Sequence, residues 1–290
     1  MKRLPISVLL PTYNSAAIVR DTLESIKWAD EILVVDSYST DETLDICSEY
    51  GARIIQHKYI NSATQKNWAA PQCRNEWILQ IDTDEVLETD LREEIEDAVS
   101  QADPNDHAFR IPRKNHVLGR WMRYAGIYPD YQTRLFRRDR GRWMDREVHA
   151  HVLVPGRIRT LQHHIMHDGM PNISKQLRNL DRYTRYEADE MYKVGTHFHW
   201  YRLIFHPWQV FFYRYLWNRG FSDGWRGFIV CSYLAIYDFL SQAKLWELEE
   251  LGNGPGSLTR TVASSQKLKE PTRLGQIAVE STVTPVTHRR

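Results

Sequence analysis

The amino-acid sequence predicts an α/β fold: a mixed, mainly parallel sheet with helices on both faces, followed by a C-terminal helical, aromatic-rich region. Three observations predict it. Over the first hundred residues, short runs that are apolar throughout alternate with helical stretches, the pattern of a sheet covered on both sides. From about 107 to 160 the runs become short and alternate polar with apolar residues. From about 174 to 250 helical signals dominate, with Trp, Tyr and Phe crowded into 197–246.

Taken in order, "ISVLLP" is a buried strand ended by Pro11 and the turn-forming Asn14. "SAAIVRDTLESIKWA" is a helix with Ile18, Thr22, Leu23 and Ile26 on one face. "EILVVD" is the second strand and ends at Asp36. "STDETLDICSEYG" is a helix, with Ser39 and Glu42 as its capping box and Gly51 at its C′ position. "ARIIQH" and "WILQID" are the third and fourth strands, the latter ending at Asp82, and "DLREEIEDAVSQA" is the next helix. "HAFRIPR", "YQTRLFRR" and "VHAHVLV" extend the sheet with antiparallel or mixed strands. "SKQLRNLDRYTRYEADEMYKVG" is a charged helix, and Pro207 and Gly220 divide the aromatic stretch after it into two or three more. The expected organisation is an α/β ligand-binding unit over 1–170, a helical region over 171–251 and a Gly/Pro/Ser/Thr-rich mobile tail over 252–290.

Composition narrows the function classes. Lys plus Arg is 38 against 37 Asp plus Glu, a net charge of +1, so no global field draws nucleic acid and none is expected as a partner. Cys47, Cys73 and Cys231 are an odd, scattered set, which argues against a disulfide framework and for a reducing compartment. "MKRLPISVLLPTYN" has a short apolar stretch broken by Pro5 and no small-residue cleavage site, so no signal peptide is expected. No run reaches the roughly 18 apolar residues of a spanning helix.

Parallel sheets bind ligands at the carboxyl ends of their strands. That places Thr12, Tyr13, Asn14, Asp36 and the Asp82–Glu85 segment on one rim. Asp82-Thr83-Asp84-Glu85 directly follows an apolar strand, where acids spaced i, i+2 can converge on a ribose and a hard cation such as Mg²⁺ or Mn²⁺. Asp36, with capping assigned to Ser39, is free to accept from a base imide or a ribose hydroxyl. Arg134, Arg137 and Arg138 are candidate diphosphate clamps. His163, His164 and His167 in "QHHIMHDG" have no convincing ligand frame for zinc.

"SVLLPTYN", "VVDSYSTDET", "QKN" and "LQIDTDE", in this order and spacing, resemble the inverting family-two glycosyltransferases of GT-A (Rossmann-like) fold. "GIYPDYQTRLFRR", "VHAHV", "RGFSDGWRGFIV" and "AKLWE" resemble the branch that contains lipopolysaccharide-core glycosyltransferases. The resemblance spans roughly 4–250. It implies that Thr12 and Tyr13 contact the base, Tyr13 by stacking, within a donor segment that includes Pro11 and Asn14. It implies that Asp36 binds uracil or ribose, Lys66 lies near base and diphosphate, and Asp82 approaches ribose or sugar. Asp84 would ligate the divalent metal, with Asp82 and His149 as further candidates. The implied donor is a UDP-sugar, UDP-glucose first, and the acceptor a membrane-linked glycan.

An acceptor hydroxyl needs a base. Where the resembling branch reads Val-His-Glu, Ala150 replaces the Glu. Glu147 is the first choice, with Asp145 and Asp130 behind it. In an extended segment Glu147, His149 and His151 share a face. The aromatic-basic stretch 197–246 suits amphipathic helices at a lipid headgroup boundary, and the resemblance implies the cytoplasmic face of a bacterial inner membrane as the location. Two other readings are a sugar nucleotidyltransferase, disfavoured because "PTYNSAA" lacks glycine, and a non-catalytic membrane-bound module, favoured only by Ala150.

Overall fold

The computed structural model describes residues 5–144 and 151–251. Twelve strands are present among them: β1 Ile6–Thr12, β2 Glu31–Asp36, β3 Arg53–Gln56, β4 Trp77–Gln80, β5 Glu85–Leu87, β6 Asp106–Val117, β7 Arg120–Trp121, β8 Asp130–Arg137, β9 Arg142–Trp143, β10 Val152–Leu153, β11 Arg157–Thr160 and β12 Ile165–Met170. The helices are α1 Val19–Ile26, α2 Thr43–Glu49, α3 Ser62–Ala69, α4 Thr89–Ser100, α5 Ile173–Lys193, α6 Trp200–Phe212 and α7 Trp225–Glu250.

The main sheet runs β3-β2-β1-β4-β8-β6-β12-β5. Its first four strands are parallel. β8 is antiparallel to both β4 and β6, β12 is parallel to β6, and β5 is antiparallel to β12. Alternation along β1 serves both faces. Ile6, Val8 and Leu10 join a cluster with Leu23 of α1, Ile46 of α2 and Leu91 of α4, whereas Leu9 packs with Ala63 and Ala69 of α3.

The chain leaves β4 at Gln80 and enters β5 at Glu85, yet β8, β6 and β12 lie between those strands. Five residues reach at most about 17 Å. Four flat inter-strand steps would need about 19 Å. The sheet therefore curls, and the Asp82–Asp84 turn sits inside the curl.

The helical region packs on the sheet through Val230 of α7, which meets Val117, Met122 and Met170. α6 buries none of its residues. Among the described residues no helix is long and apolar enough to cross a membrane. The three cysteines are buried and unpaired.

Several expectations are corrected. Ile18 is exposed and Val19 takes its place in the core, because α1 starts one residue later. The Ser39–Glu42 capping box does not form. Asp41 instead accepts from the Thr43 amide at 3.1 Å, while Ser39 turns toward Asp36. Pro207 lies inside α6 rather than ending it. The 252–290 tail lies outside the described residues.

Candidate active site

Because β1, β2 and β4 are parallel and in register, with Thr12 beside Asp36 and Leu9 beside Gln80, their carboxyl ends share one rim. The Ser15 hydroxyl lies 3.3 Å from that of Thr83, and the Thr22 hydroxyl donates to the Thr83 carbonyl at 2.9 Å. These contacts tie the loop after β1 to the aspartate turn.

The first two strand ends are braced from within. Asp36 is fully buried. It accepts from the Thr12 hydroxyl at 3.0 Å, the Ser39 amide at 2.8 Å, the Ser39 hydroxyl at 2.5 Å and the Gln56 amide at 3.2 Å. Four donors fill its lone pairs, so the expectation that it is free for a base or ribose is overturned; it shapes the 36–40 loop instead. That loop carries Tyr38 in the left-handed region, φ 62°, a sparsely populated conformation for an aromatic residue. Asn14, φ 45°, locks against it by accepting from the Thr40 amide at 2.8 Å and donating to Ser39 at 2.9 Å. Tyr13 and Tyr38 expose their rings there, Thr12 is buried against Asp36, and Pro11 is half-buried within β1.

The rim continues into a cavity of about 790 Å³ lined by Lys66, Gln80, Asp82 and Arg134, and across from them by side chains of α5, α6 and α7. Asp82 keeps 34% of its side chain exposed. Lys66 approaches it at 3.2 Å and Arg134 at 3.0 Å. Burial alone would raise the Asp82 carboxyl, but these two cations hold it far below the ordinary carboxylate range. Burial pulls the Lys66 ammonium down, against the opposing charge of Asp82.

Arg134 is almost fully buried. It donates to Gln80, to Asp82, and to the fully buried Glu85 at 2.5 Å. Its role as a free diphosphate clamp is corrected accordingly, since its terminal nitrogens neutralise the Asp82–Glu85 pair and only Nε–H lacks a partner. Arg137 stacks on Trp77 and donates to the Asp106 carbonyl, and Arg138 donates to the Cys73 carbonyl. Both are structural.

Asp84 is poorly neutralised. His167 Nε2 stands 3.8 Å and Lys175 Nζ 3.7 Å from its oxygens, both beyond hydrogen-bond range. Burial, with the Asp82 and Glu85 charges, pushes its carboxyl above the ordinary value despite His167. His167 reaches this position because β12 pairs antiparallel with β5, setting it beside Glu85. Its ring is oriented by a chain of contacts. Asp130 accepts from the Asn115 side-chain amide at 3.0 Å. That turns the Asn115 carbonyl oxygen to His167 Nδ1 at 2.6 Å, so Nδ1 carries the proton and the Nε2 lone pair faces Asp84. Burial, with the nearby Arg113 charge, holds the His167 pKa down, which keeps that lone pair available.

Asp130 also takes Arg113 at 2.7 Å and Gln132 at 2.6 Å. Burial would raise its carboxyl, but Arg113 and these hydrogen bonds bring it below the ordinary value. A carboxylate so satisfied is a weak proton acceptor, which corrects its candidacy as the base. Asp145, Glu147 and His149 lie outside the described residues; His151, just after them, lines the cavity.

Among the described residues no cluster of three or more His, Cys, Asp or Glu is set to hold a metal. The pair Asp84 and His167 nonetheless fits a hard divalent cation. Such ions accept one or two protein ligands and fill the shell with phosphate oxygens and water. An under-neutralised carboxylate faces an oriented imidazole lone pair. The sequence does not reveal His167 as part of this pair, because no local spacing frames it.

Comparison with known proteins agrees with this architecture. The glycosyl transferase family 2 model matches residues 7–153. The lipopolysaccharide core biosynthesis glycosyltransferase LpsC of Rhizobium meliloti is 28% identical over 261 residues, covering 87% of this chain and 96% of its own length. An uncharacterized glycosyltransferase of Rickettsia bellii is 28% identical over 278 residues, covering 92% and 94%. Among solved structures, the mannosyltransferase PcManGT from Pyrobaculum calidifontis, in complex with GDP-Man and Mn²⁺, aligns with a TM-score of 0.46 at 16% identity, over 92% of this chain and 81% of its own. With a curled, mainly parallel GT-A-like sheet and a family match over half its length, the chain belongs to glycosyl transferase family 2 and is a glycosyltransferase.

Proposed function

We propose that the protein is an inverting, metal-dependent glycosyltransferase that moves a hexose from a UDP-sugar, UDP-glucose first among candidates, to a membrane-linked glycan of the lipopolysaccharide-core kind. The observation that carries this reading is the Asp82-Thr83-Asp84 turn inside the sheet curl. There Asp82 is charge-matched by Lys66 and Arg134, and Asp84 faces His167 with Lys175 3.7 Å away and no direct hydrogen bond from either. The named role of LpsC in lipopolysaccharide core biosynthesis supports the acceptor class.

In this mechanism the donor base rests on the rim at Tyr13 and Tyr38, with Pro11, Thr12 and Asn14 shaping its floor. Asp82, still open to the cavity, accepts from a ribose or sugar hydroxyl. Lys66, Arg113 and Arg134 are already matched by Asp82, Glu85 and Asp130, so added diphosphate charge needs additional cations. Asp84 and His167 would hold a divalent one, with Asp82 beside them. Bound there, Mg²⁺ or Mn²⁺ supplies charge neutralisation for the departing diphosphate. Lys175, the other cation near Asp84, adds to that field. Attack from the opposite face requires a carboxylate to take the acceptor proton. Glu147 is assigned that role, with Asp145 as second choice and His149 as a further ligand of the cation; His151, next in sequence, lines the cavity.

Trp200, Phe205, Trp208, Phe212 and Trp217 are exposed on α6 and the π-helical turn after it. A water-facing surface of this kind suits insertion at the headgroup level of a bilayer, here the cytoplasmic face of a bacterial inner membrane.

The test is UDP-sugar turnover by the full chain with and without Mn²⁺. Asp84→Ala is expected to lose at least about 100-fold in rate with its melting temperature retained. Full activity of the folded variant would overturn the metal assignment.

A further inference from the structure

The cavity is larger than its donor rim. Its far wall is built by α5, α6, the π-helical turn Tyr213–Trp217 and α7, and contributes Arg182, Tyr183, Arg214, Tyr237 and Asp238. The rim and this wall meet at Tyr59, which lines the same space and whose hydroxyl feels the charges of Arg182 and Asp82 together.

Charge is distributed unevenly between the two sides. On the rim side each cation faces a carboxylate: Lys66 faces Asp82, Arg134 faces Asp82 and Glu85, and Arg113 faces Glu85 and Asp130. On the helical side, among the described residues, Arg182 contacts only the Asn179 side-chain oxygen and the Tyr183 hydroxyl, both at 3.2 Å, and lies over the Tyr183 ring. Arg214 donates to the Ala125 carbonyl at 2.9 Å. Neither has a carboxylate partner there. Two guanidiniums in one cavity without counter-ions favour a ligand that brings negative charge.

Asp238 adds a second, independent observation. His206 Nδ1 fixes its Oδ1 at 2.8 Å. Its Oδ2 is buried and has no hydrogen-bond partner among the described residues. A buried carboxylate oxygen without a donor is costly, and a ligand hydroxyl would supply one. A carboxylate accepting from hydroxyls, with aromatic faces beside it, is chemistry suited to a saccharide.

We infer that this helical wall is the acceptor subsite, and that it selects an acceptor sugar carrying an anionic substituent, a phosphate or a carboxylate. Arg182 and Arg214 take the anion, and Asp238, oriented by His206, takes a sugar hydroxyl. The inference rests on the glycosyltransferase reading of the cavity and names the acceptor's chemistry.

The test is calorimetric titration of the full chain with glucose 6-phosphate, glucuronate, methyl glucoside and inorganic phosphate, with UDP and Mn²⁺ at saturating concentration to occupy the rim. Glucose 6-phosphate is expected to bind at least tenfold more tightly than methyl glucoside or inorganic phosphate. Glucuronate matching it would show that charge alone is read, and glucuronate binding weakly would assign the anion as phosphate; both support the subsite. Arg182→Gln is expected to erase the preference over methyl glucoside. Asp238→Asn is expected to erase the preference over inorganic phosphate. The UDP-dependent rise in melting temperature, kept in each variant, reports the fold and the rim. Equal binding of glucose 6-phosphate and methyl glucoside by the wild type, or an intact preference in folded Arg182→Gln, would overturn the proposal. A wild type that ignores UDP yet keeps the anionic-sugar preference would instead sink the donor reading and leave this subsite standing.

Discussion

His167 Nε2 faces Asp84 Oδ1 across 3.8 Å, and the imidazole is aimed there by Asn115, itself oriented by Asp130. If this pair holds the cation, its affinity depends on groups that never touch it. Asn115→Ala is expected to weaken Mn²⁺ binding by about 10- to 100-fold, and His167→Ala by at least as much. Electron paramagnetic resonance titration of Mn²⁺ in the presence of UDP measures both. Unchanged affinity in His167→Ala would remove the imidazole from the site.

Metal-supported UDP binding should fail on the acid side earlier than an ordinary carboxylate allows. Burial and two neighbouring carboxylates raise Asp84, and only its ionised form can ligate. Binding is therefore present above that raised pKa and lost as pH falls through it. His167 is shifted down, so its lone pair stays available further toward acid pH than that of an ordinary imidazole. The metal-free protein responds in the opposite sense, because a carboxyl raised by folding loses its unfavourable buried charge as it protonates. Affinity of UDP with Mn²⁺ against pH, beside metal-free stability against pH, checks both limbs. Parallel trends would refute the assignment.

Arg134→Met leaves Glu85 and Asp82 without their shared guanidinium. Glu85 is fully buried and keeps Arg113 at 3.0 Å as its cation, besides the Asp82 amide at 3.0 Å. Breaking one side of a buried ion pair costs about 3–5 kcal/mol, and that loss of unfolding free energy is the expected result in urea titration. A loss below about 1 kcal/mol, the range of surface pairs, would mean that Arg134 is not the internal counter-ion of Asp82 and Glu85.

Phe205→Ser combined with Trp208→Ser removes two exposed aromatic side chains from α6. Stability is expected to change by no more than about 0.5 kcal/mol for each surface site, while co-sedimentation with anionic phospholipid vesicles falls sharply. Undiminished vesicle binding would show that α6 is not the face that meets lipid.

The rim is legible in the sequence because parallel strands announce themselves as unbroken apolar runs, and their carboxyl ends follow from topology. Lys66, Asp82 and Arg134 do line one cavity. The hidden part of the site depends on pairing between distant segments. His167 acquires its neighbours only when β12 docks against β5. Asp36 and Arg134 look open to ligand in the sequence because a sequence shows charge but not occupancy; Asp36 is filled by four internal donors and the terminal nitrogens of Arg134 are taken by Gln80, Asp82 and Glu85. The capping box fails for a similar reason, since the Ser39 hydroxyl is turned to donate to Asp36 and does not accept from an α2 amide. The helical wall is legible as helices, but its Arg182, Arg214 and Asp238 are not legible as one surface.

The short link from Gln80 to Glu85, which bends the sheet on itself, also sets an order of events during synthesis. A nascent chain that has emerged only through β11 already owns both aspartates, but β5 has no strand to pair with and Asp84 no imidazole opposite it. If the Asp84–His167 pair holds the cation, its capture has to wait until Met170 has cleared the ribosome, and uptake of Mn²⁺ by stalled chains of increasing length would time the closing of the fold.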